Sequence, residues 1–186
     1  MINLPGDYFN YNNGTAHFTS AILSKAVDTS TLQYAVENLF KPLGIETPHW
    51  EVDKRGINNG AAGLSLTPTD MLKIGRLYLN KGIFNGKRVV SEDWIAKVSS
   101  FKISTHNIEP FGPEYGYLWW IGNKNKHSYY FANGYGGQFI VVVPDMELIV
   151  VATNRWSGVS LTTANQQWYS TLSLIIDRII PAFEVE

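Results

Sequence analysis

Residues 138–153 read Gln-Phe-Ile-Val-Val-Val-Pro-Asp-Met-Glu-Leu-Ile-Val-Val-Ala-Thr. Two β-rich runs, Gln138 to Val143 and Glu147 to Thr153, flank Pro144-Asp145-Met146, a group of turn formers. The spacing predicts an antiparallel hairpin. Gln138 to Val143 is apolar almost throughout, the pattern of a central strand covered on both faces. Outward from the hairpin, Ser128 to Asn133 and Tyr117 to Ile121 are further β-rich runs. On the other side, Trp168, Leu172, Ile175 and Ile179 form one stripe within Val159 to Ile180, so a long amphipathic helix is expected to lie on the sheet.

The N-terminal part has a different period. Phe18, Ile22 and Ala26 recur every four residues, which predicts a helix from Thr15 to about Val27. Ser30-x-x-Gln33 is a capping-box pattern ahead of the stripe Leu32, Ala35, Val36, Leu39 and Phe40, and Pro42 with Gly44 ends that second helix. Residues 46–66 lack periodicity and read as an ordered loop region, a kind often found over a site. Thr67-Pro68-Thr69-Asp70 starts a third helix, with Met71, Ile74, Leu77 and Tyr78 as its buried face and Gly82 as the C′ residue. Asn85-Gly86 is a turn, and Ser91 caps a short helix running to about Val98. The chain therefore reads as a single α+β domain over residues 1–186, with 1–110 mainly helical and 111–186 an antiparallel sheet plus the C-terminal covering helix.

Composition narrows the function. The 186 residues are 45% hydrophobic, 13% aromatic and only 17% charged, with a formal net charge of −1. That apolar balance suits a segment with much surface to bury. It gives no electrostatic footprint for nucleic acid or an anionic membrane, so a small neutral substrate or a protein partner is expected, a small-molecule or peptide substrate first. Zero cysteines exclude disulfides, zinc-thiolate sites and a thiol nucleophile, while fitting both cytoplasm and periplasm. No apolar run is long enough to span a bilayer, and no signal peptide is visible at Met1. The four histidines, 17, 49, 106 and 127, show no ligand spacing, and no metal or other cofactor is expected.

Two stretches hold the residues that could carry chemistry. Tyr8-Phe-Asn-Tyr-Asn-Asn-Gly14 places the phenol of Tyr11 and the amide of Asn13 just before a helix N-terminus, after a Pro5-Gly6-Asp7 turn that delivers Tyr8, Phe9 and Tyr11 to a packed surface. The plain alternative is a packed aromatic with a turn-forming Asn. Asn133-Gly134-Tyr135-Gly136-Gly137-Gln138 leads from strand to strand, which argues against a phosphate loop. It is either a glycine-bent connection or a place where a ligand approaches the backbone closely.

Four ordered stretches resemble the serine β-lactamase and penicillin-binding-protein superfamily, in its branch of class C β-lactamases, esterases and D-alanyl-D-alanine carboxypeptidases. Pro5 to Asn13 resembles the approach to the family's Tyr-x-Asn motif. Gly60-Ala-Ala-Gly-Leu-Ser-Leu-Thr-Pro-Thr-Asp-Met71 resembles its glycine-rich segment and following helix. Tyr115-Gly-Tyr-Leu-Trp-Trp120, and then Gly134-Tyr-Gly-Gly-Gln-Phe139 with Val143-Pro-Asp145, resemble the strands of its active-site edge. The resemblance implies a β-lactamase/transpeptidase-like fold, incomplete at the N-terminus, and a periplasmic or cell-envelope setting.

It also implies roles. In the family a serine and a lysine from a Ser-x-x-Lys motif precede Tyr-x-Asn, and only ten residues precede Tyr11 here. Ser99-Ser-Phe-Lys102 fits the letters but follows Tyr-x-Asn and is read as chance. The expected enzyme is a serine hydrolase acting on an amide, ester or β-lactam through an acyl-enzyme. Tyr11 would handle a proton, Asn13 would orient the lysine and a substrate amide, and the backbone N–H of Tyr135 would be an oxyanion donor. A free phenol titrates near ~10 and needs a neighbouring cation to act as a base. Ala132-Asn133-Gly134 stands where the family has Lys-Thr-Gly, which favours esters or amides over β-lactams. Substrate-binding residues would be Ala132, Asn133, Gly134, Gly136, Gly137 and Trp120. The chain alone is expected to be inactive and to seek either the N-terminal half of the same domain or its own sheet edge. The rival expectation is a non-catalytic peptide- or glycan-binding module using Tyr11, Trp119, Trp120 and Tyr135.

Overall fold

The computed structural model describes residues 4, 6–106 and 111–184. The hairpin forms as expected: β7 (Gln138–Val143) pairs antiparallel with β8 (Leu148–Ala152) in the register Val141 to Val150 and Val143 to Leu148, with one 3-10 turn, Pro144–Met146, between them. They close a six-stranded antiparallel sheet whose spatial order follows the sequence. The other strands are β3 (Ile103–Ser104), β4 (Glu114–Tyr115), β5 (Trp120–Lys124) and β6 (His127–Gly134). A separate small hairpin, β1 (Ile83–Phe84) with β2 (Lys87–Arg88), turns at Asn85-Gly86, both at positive φ.

Alternation along β6 and β7 sends side chains to two opposite cores. Phe131, Phe139, Val141 and Val143 face Leu172, Ile175, Ile176 and Ile180 of the C-terminal helix, α5 (Leu161–Leu174) with its π-helical continuation Ile175–Ile179 and last turn Ile180–Ala182. Tyr130, Ile140 and Val142 face the other way, toward Met71 of α3 (Pro68–Leu79) and Val98 of α4 (Glu92–Val98). Contact with α3 is close because residue 75 is glycine: a Cβ there would lie 2.7 Å from Cγ2 of Ile149. A third cluster, Val36, Phe40, Leu43, Ile45, Leu77 and Phe84, joins α3 to α2 (Thr31–Ala35) and its π-helical extension Val36–Phe40.

The starts at Ser30, Thr67 and Ser91 follow the caps read from sequence, and Ser160 is a fourth that the sequence reading did not name. Ser30, Thr67, Ser91 and Ser160 each accept a first-turn backbone N–H through the side-chain oxygen. The end of α3 differs in detail. Asn80 is the C-cap, so C′ is Lys81 in the left-handed region, with its N–H on Tyr78 O and the N–H of Gly82 on Leu77 O. Gly82 is required for another reason: a Cβ would sit 2.0 Å from Val90 O.

Three expectations differ from what forms. Tyr117 to Ile121 is not one strand; Gly116 N–H bonds Trp119 O, Leu118 takes φ +66°, and the chain turns a corner into β5. A Cβ on Gly116 would meet Val98 O at 2.2 Å, so close packing on α4 sets this corner. The apolar spacing in α1 (Asn13–Val27) found the helix, yet Phe18 and Ile22 are exposed and the buried residue is Ser20. That face is held by polar bonds, Ser20 Oγ to Asn58 O at 2.7 Å and to Thr31 Oγ1 at 2.7 Å. The sheet also begins before residue 111, at β3. Among the described residues no helix is long and apolar enough to cross a membrane, and β8 has an unpaired outer edge.

Candidate active site

Phe9 anchors the N-terminal segment. It is buried against Tyr115 and Trp120, with ring centroids 5.0 Å and 5.7 Å away. Tyr8 and Tyr11 remain about half exposed, so the turn at residue 6 delivers only Phe9 to the core. Tyr11 stacks on Trp120 at 5.6 Å. Asn12 then caps α1, its Oδ1 accepting Thr15 N–H, which makes Asn13 the first helical residue. Tyr11 and Asn13 thus flank a helix start, as the sequence implied.

The glycine-rich loop is drawn against the same helix. Gly60 N–H donates to Nδ1 of His17 at 3.4 Å, which leaves the ring proton on Nε2 to donate to Asp53 Oδ2 at 3.1 Å. Backbone N–H groups of Ile57 and then Arg55, with His17, hold the Asp53 carboxyl below its usual range. The approach of Gly60 is so tight that a Cβ would lie 2.4 Å from Ala16 O.

Between these parts lies a cleft of about 240 Å³. Phe9, Tyr11, Tyr115 and Leu118 supply its apolar wall; Asn10, Asn12, Asn13 and Asn133 supply four amides; Thr15, Ala16, Gly60 and Ala61 complete it. No lining residue carries a formal charge. A second cavity of about 310 Å³ shares Asn13 and Ala61 with it and holds the His17 and Asp53 pair.

Of the residues expected from sequence, Tyr11, Asn13 and Asn133 come together although over a hundred positions separate the first from the last. Ala132, Gly134, Tyr135, Gly136 and Gly137 do not line the cleft. Ala132 turns to the opposite core, since strand neighbours alternate. Gly134 to Gly137 form the β6–β7 turn, closed by Gly137 N–H on Gly134 O at 3.2 Å and packed on Asn154, whose Nδ2 would be 2.6 Å from a Cβ at residue 137. Tyr135 itself is exposed.

Trp120 is 6% exposed and packs against Tyr11 and Phe9, outside the cleft lining. Trp119 is equally buried but belongs to the other core, where its indole N–H donates to Tyr78 Oη at 3.1 Å. The two tryptophans therefore cannot share one aromatic groove. Ser99 closes α4, its Oγ donating to Ile95 O, and Lys102 Nζ donates to Ser100 Oγ, so the Ser-x-x-Lys letters do not form one helical turn.

Sequence reasoning missed Tyr115, Leu118, Asn10 and His17. Tyr115 stood inside a quoted motif, and only the corner at Gly116 shows that it turns toward Phe9. Among the described residues no group of three or more His, Asp or Glu could hold a metal ion.

Comparison with known proteins gives the family and the fold. The Beta-lactamase family model matches residues 3–171. The chain belongs to the Beta-lactamase family. A 6-aminohexanoate-dimer hydrolase of Paenarthrobacter ureafaciens is 28% identical over 111 residues, covering 56% of this chain and 28% of that protein. A Bacillus anthracis protein named for the same hydrolase superposes over 94% of this chain and 46% of its own, with TM-score 0.73 and 23% identity. The octameric penicillin-binding protein homologue of Pyrococcus abyssi covers 95% of this chain and 44% of its own, with TM-score 0.70 and 21% identity. These structural likenesses establish the fold, β-lactamase-like with mixed helices and an antiparallel sheet. The chain spans less than half the length of each of these relatives.

Proposed function

We propose that this chain supplies the Tyr-x-Asn side of a serine hydrolase that cleaves a neutral amide or ester by acyl transfer, with the serine and lysine contributed by a segment outside residues 1–186. The observation that carries this reading is the cleft itself, where Tyr11 and Asn13 at the head of α1 meet Asn133 of β6 around an uncharged space. An acyl carbonyl there finds amides on one side and a phenol on the other. A substrate carboxylate, as in a β-lactam, finds no cation among the lining residues. The name of the curated relative, hydrolysis of an amino-acid dimer, points toward an amide as well.

In this reading the serine attacks the carbonyl, the lysine and Tyr11 relay its proton, and water later releases the acyl group. Asn13 orients the lysine and a substrate amide. Tyr135 lies outside the cleft lining of this chain, on the β6–β7 turn two residues beyond Asn133, and its N–H is proposed as an oxyanion donor only in the site completed by the nucleophile-bearing segment. The unpaired edge of β8 is the proposed docking strand for the nucleophile-bearing segment, or for a second copy in its absence.

The test is turnover of a chromogenic neutral ester by the 186-residue chain, alone and with the separately expressed segment encoded immediately upstream. Hydrolysis should require both parts, and Tyr11→Phe should remove most of it. Turnover by the chain alone, or activity indifferent to Tyr11→Phe, would overturn the proposal.

A further inference from the structure

The cleft holds a second phenol. Tyr115 lies on β4 opposite Trp120 in the ladder, and its ring is fixed on two sides, by Trp120 at 4.9 Å and Phe9 at 5.0 Å. Tyr11 sits on the same Trp120, so one indole sets the placement of both phenols. Yet the hydroxyl of Tyr115 has no hydrogen-bond partner among the described residues, while its ring lines the cleft. The hydroxyl is not one of the buried polar atoms left without a partner, so it is open to solvent and free to donate to a ligand. The two phenols also differ in setting. Burial pushes the Tyr115 hydroxyl well above the usual phenol range, and negative charge on Tyr11 pushes it further, so Tyr115 keeps its proton whenever Tyr11 works as a base.

We propose that Tyr115 is a substrate-orienting residue whose neutral hydroxyl donates a hydrogen bond to the carbonyl oxygen of an amide or ester held in the cleft beside Tyr11. The donor is neutral and its ring is held on two sides, which suits selection of an uncharged acceptor. Asn133 and Leu118 close the space around it, the latter in a left-handed conformation that a leucine adopts only under constraint. The inference rests on reading the cleft as the acyl-transfer site, but its test needs no acylation.

The experiment titrates the 186-residue chain with N-butylbutanamide, a neutral amide with one carbonyl oxygen, followed by amide NMR and by [13Cζ]tyrosine signals. The backbone signals of Asn13, Gly60, Ala61 and Asn133 should move, and the 13Cζ signal absent from Tyr115→Phe should shift at saturation. Tyr115→Phe keeps the ring and should keep the melting temperature, while weakening the amide roughly 5- to 10-fold, the worth of one neutral hydrogen bond. Equal affinity in Tyr115→Phe, an unmoved Tyr115 signal, or no binding at the cleft amides would overturn the proposal. Amide binding that depends on Tyr115, with no hydrolysis once the upstream segment is added, would instead overturn the catalytic reading and leave this one standing.

Discussion

Replacing Gly60 by alanine places a Cβ 2.4 Å from the carbonyl oxygen of Ala16 and 3.0 Å from the Cβ of Ser20. The first contact is about 1 Å inside ordinary van der Waals distance, and it is to backbone, so no rotamer change relieves it. Either α1 or the loop around residue 60 must move. The loop is held to α1 through Asn58 O on Ser20 and Gly60 N–H on His17, so displacement loosens both bonds. Overpacking of this kind costs about 1–3 kcal/mol. For a chain of this size that is a melting temperature lower by roughly 2–12 °C. Gly56→Ala separates sterics from backbone strain: nothing lies within 4 Å of a Cβ there, but φ is +79°. Its cost should be only the left-handed penalty, about 1–2 kcal/mol, with no change at the cleft. Scanning calorimetry gives the melting temperatures, and amide NMR reports whether Asn13 and Ala61 shift. An unchanged midpoint for Gly60→Ala, with unmoved cleft signals, would refute the claim that this contact builds the cleft wall.

Other outcomes follow from the same geometry. Ser20→Ala strands the carbonyl of Asn58 and removes a partner of Thr31, and urea unfolding should show a loss of about 1–3 kcal/mol. Asp70 is held below its usual range by the Thr67 hydroxyl and then by Lys73, so the folded state gains stability above the unfolded carboxyl value, near ~3.9, and loses it as pH falls through the lower folded value. In Asp70→Asn that acid-side slope should flatten in urea midpoints measured from pH 6 down to 2, and an identical slope would count against the ion pair's role. Sedimentation of the chain alone should show a dimer or larger species through the β8 edge; a single monomeric species across the micromolar range would remove that edge as a docking strand.

The sheet was readable because its signals are local. An apolar run, a Pro-Asp turn and a second apolar run determine a hairpin whatever surrounds them, and Ser30, Thr67 and Ser91 cap helices through bonds three residues long. Failures came where a distant part decides. Nothing in Phe18, Ile22 and Ala26 says that Ser20 is the buried residue of α1, since that depends on Thr31 and the loop at Asn58. The corner at Gly116 follows from the position of α4. In the candidate site, Tyr11 and Asn13 were legible from their order before a helix, and Asn133 from its strand. That Trp120 lies beneath Tyr11 and Phe9 was not legible, because alternation along a strand cannot be phased without knowing which core each face meets. Tyr115 escaped notice for the same reason.

The central claim is that the Tyr11 cleft performs acyl transfer with a nucleophile from outside this chain. Intact-mass spectrometry after brief exposure of the 186-residue chain and the upstream-encoded segment to a neutral activated ester tests it most directly. An acyl adduct is expected on the serine of the added segment, none on the 186-residue chain, and strongly slowed adduct formation with Tyr11→Phe. An adduct on a residue of the 186-residue chain itself, or labelling of the segment at the same rate without the chain, would contradict it.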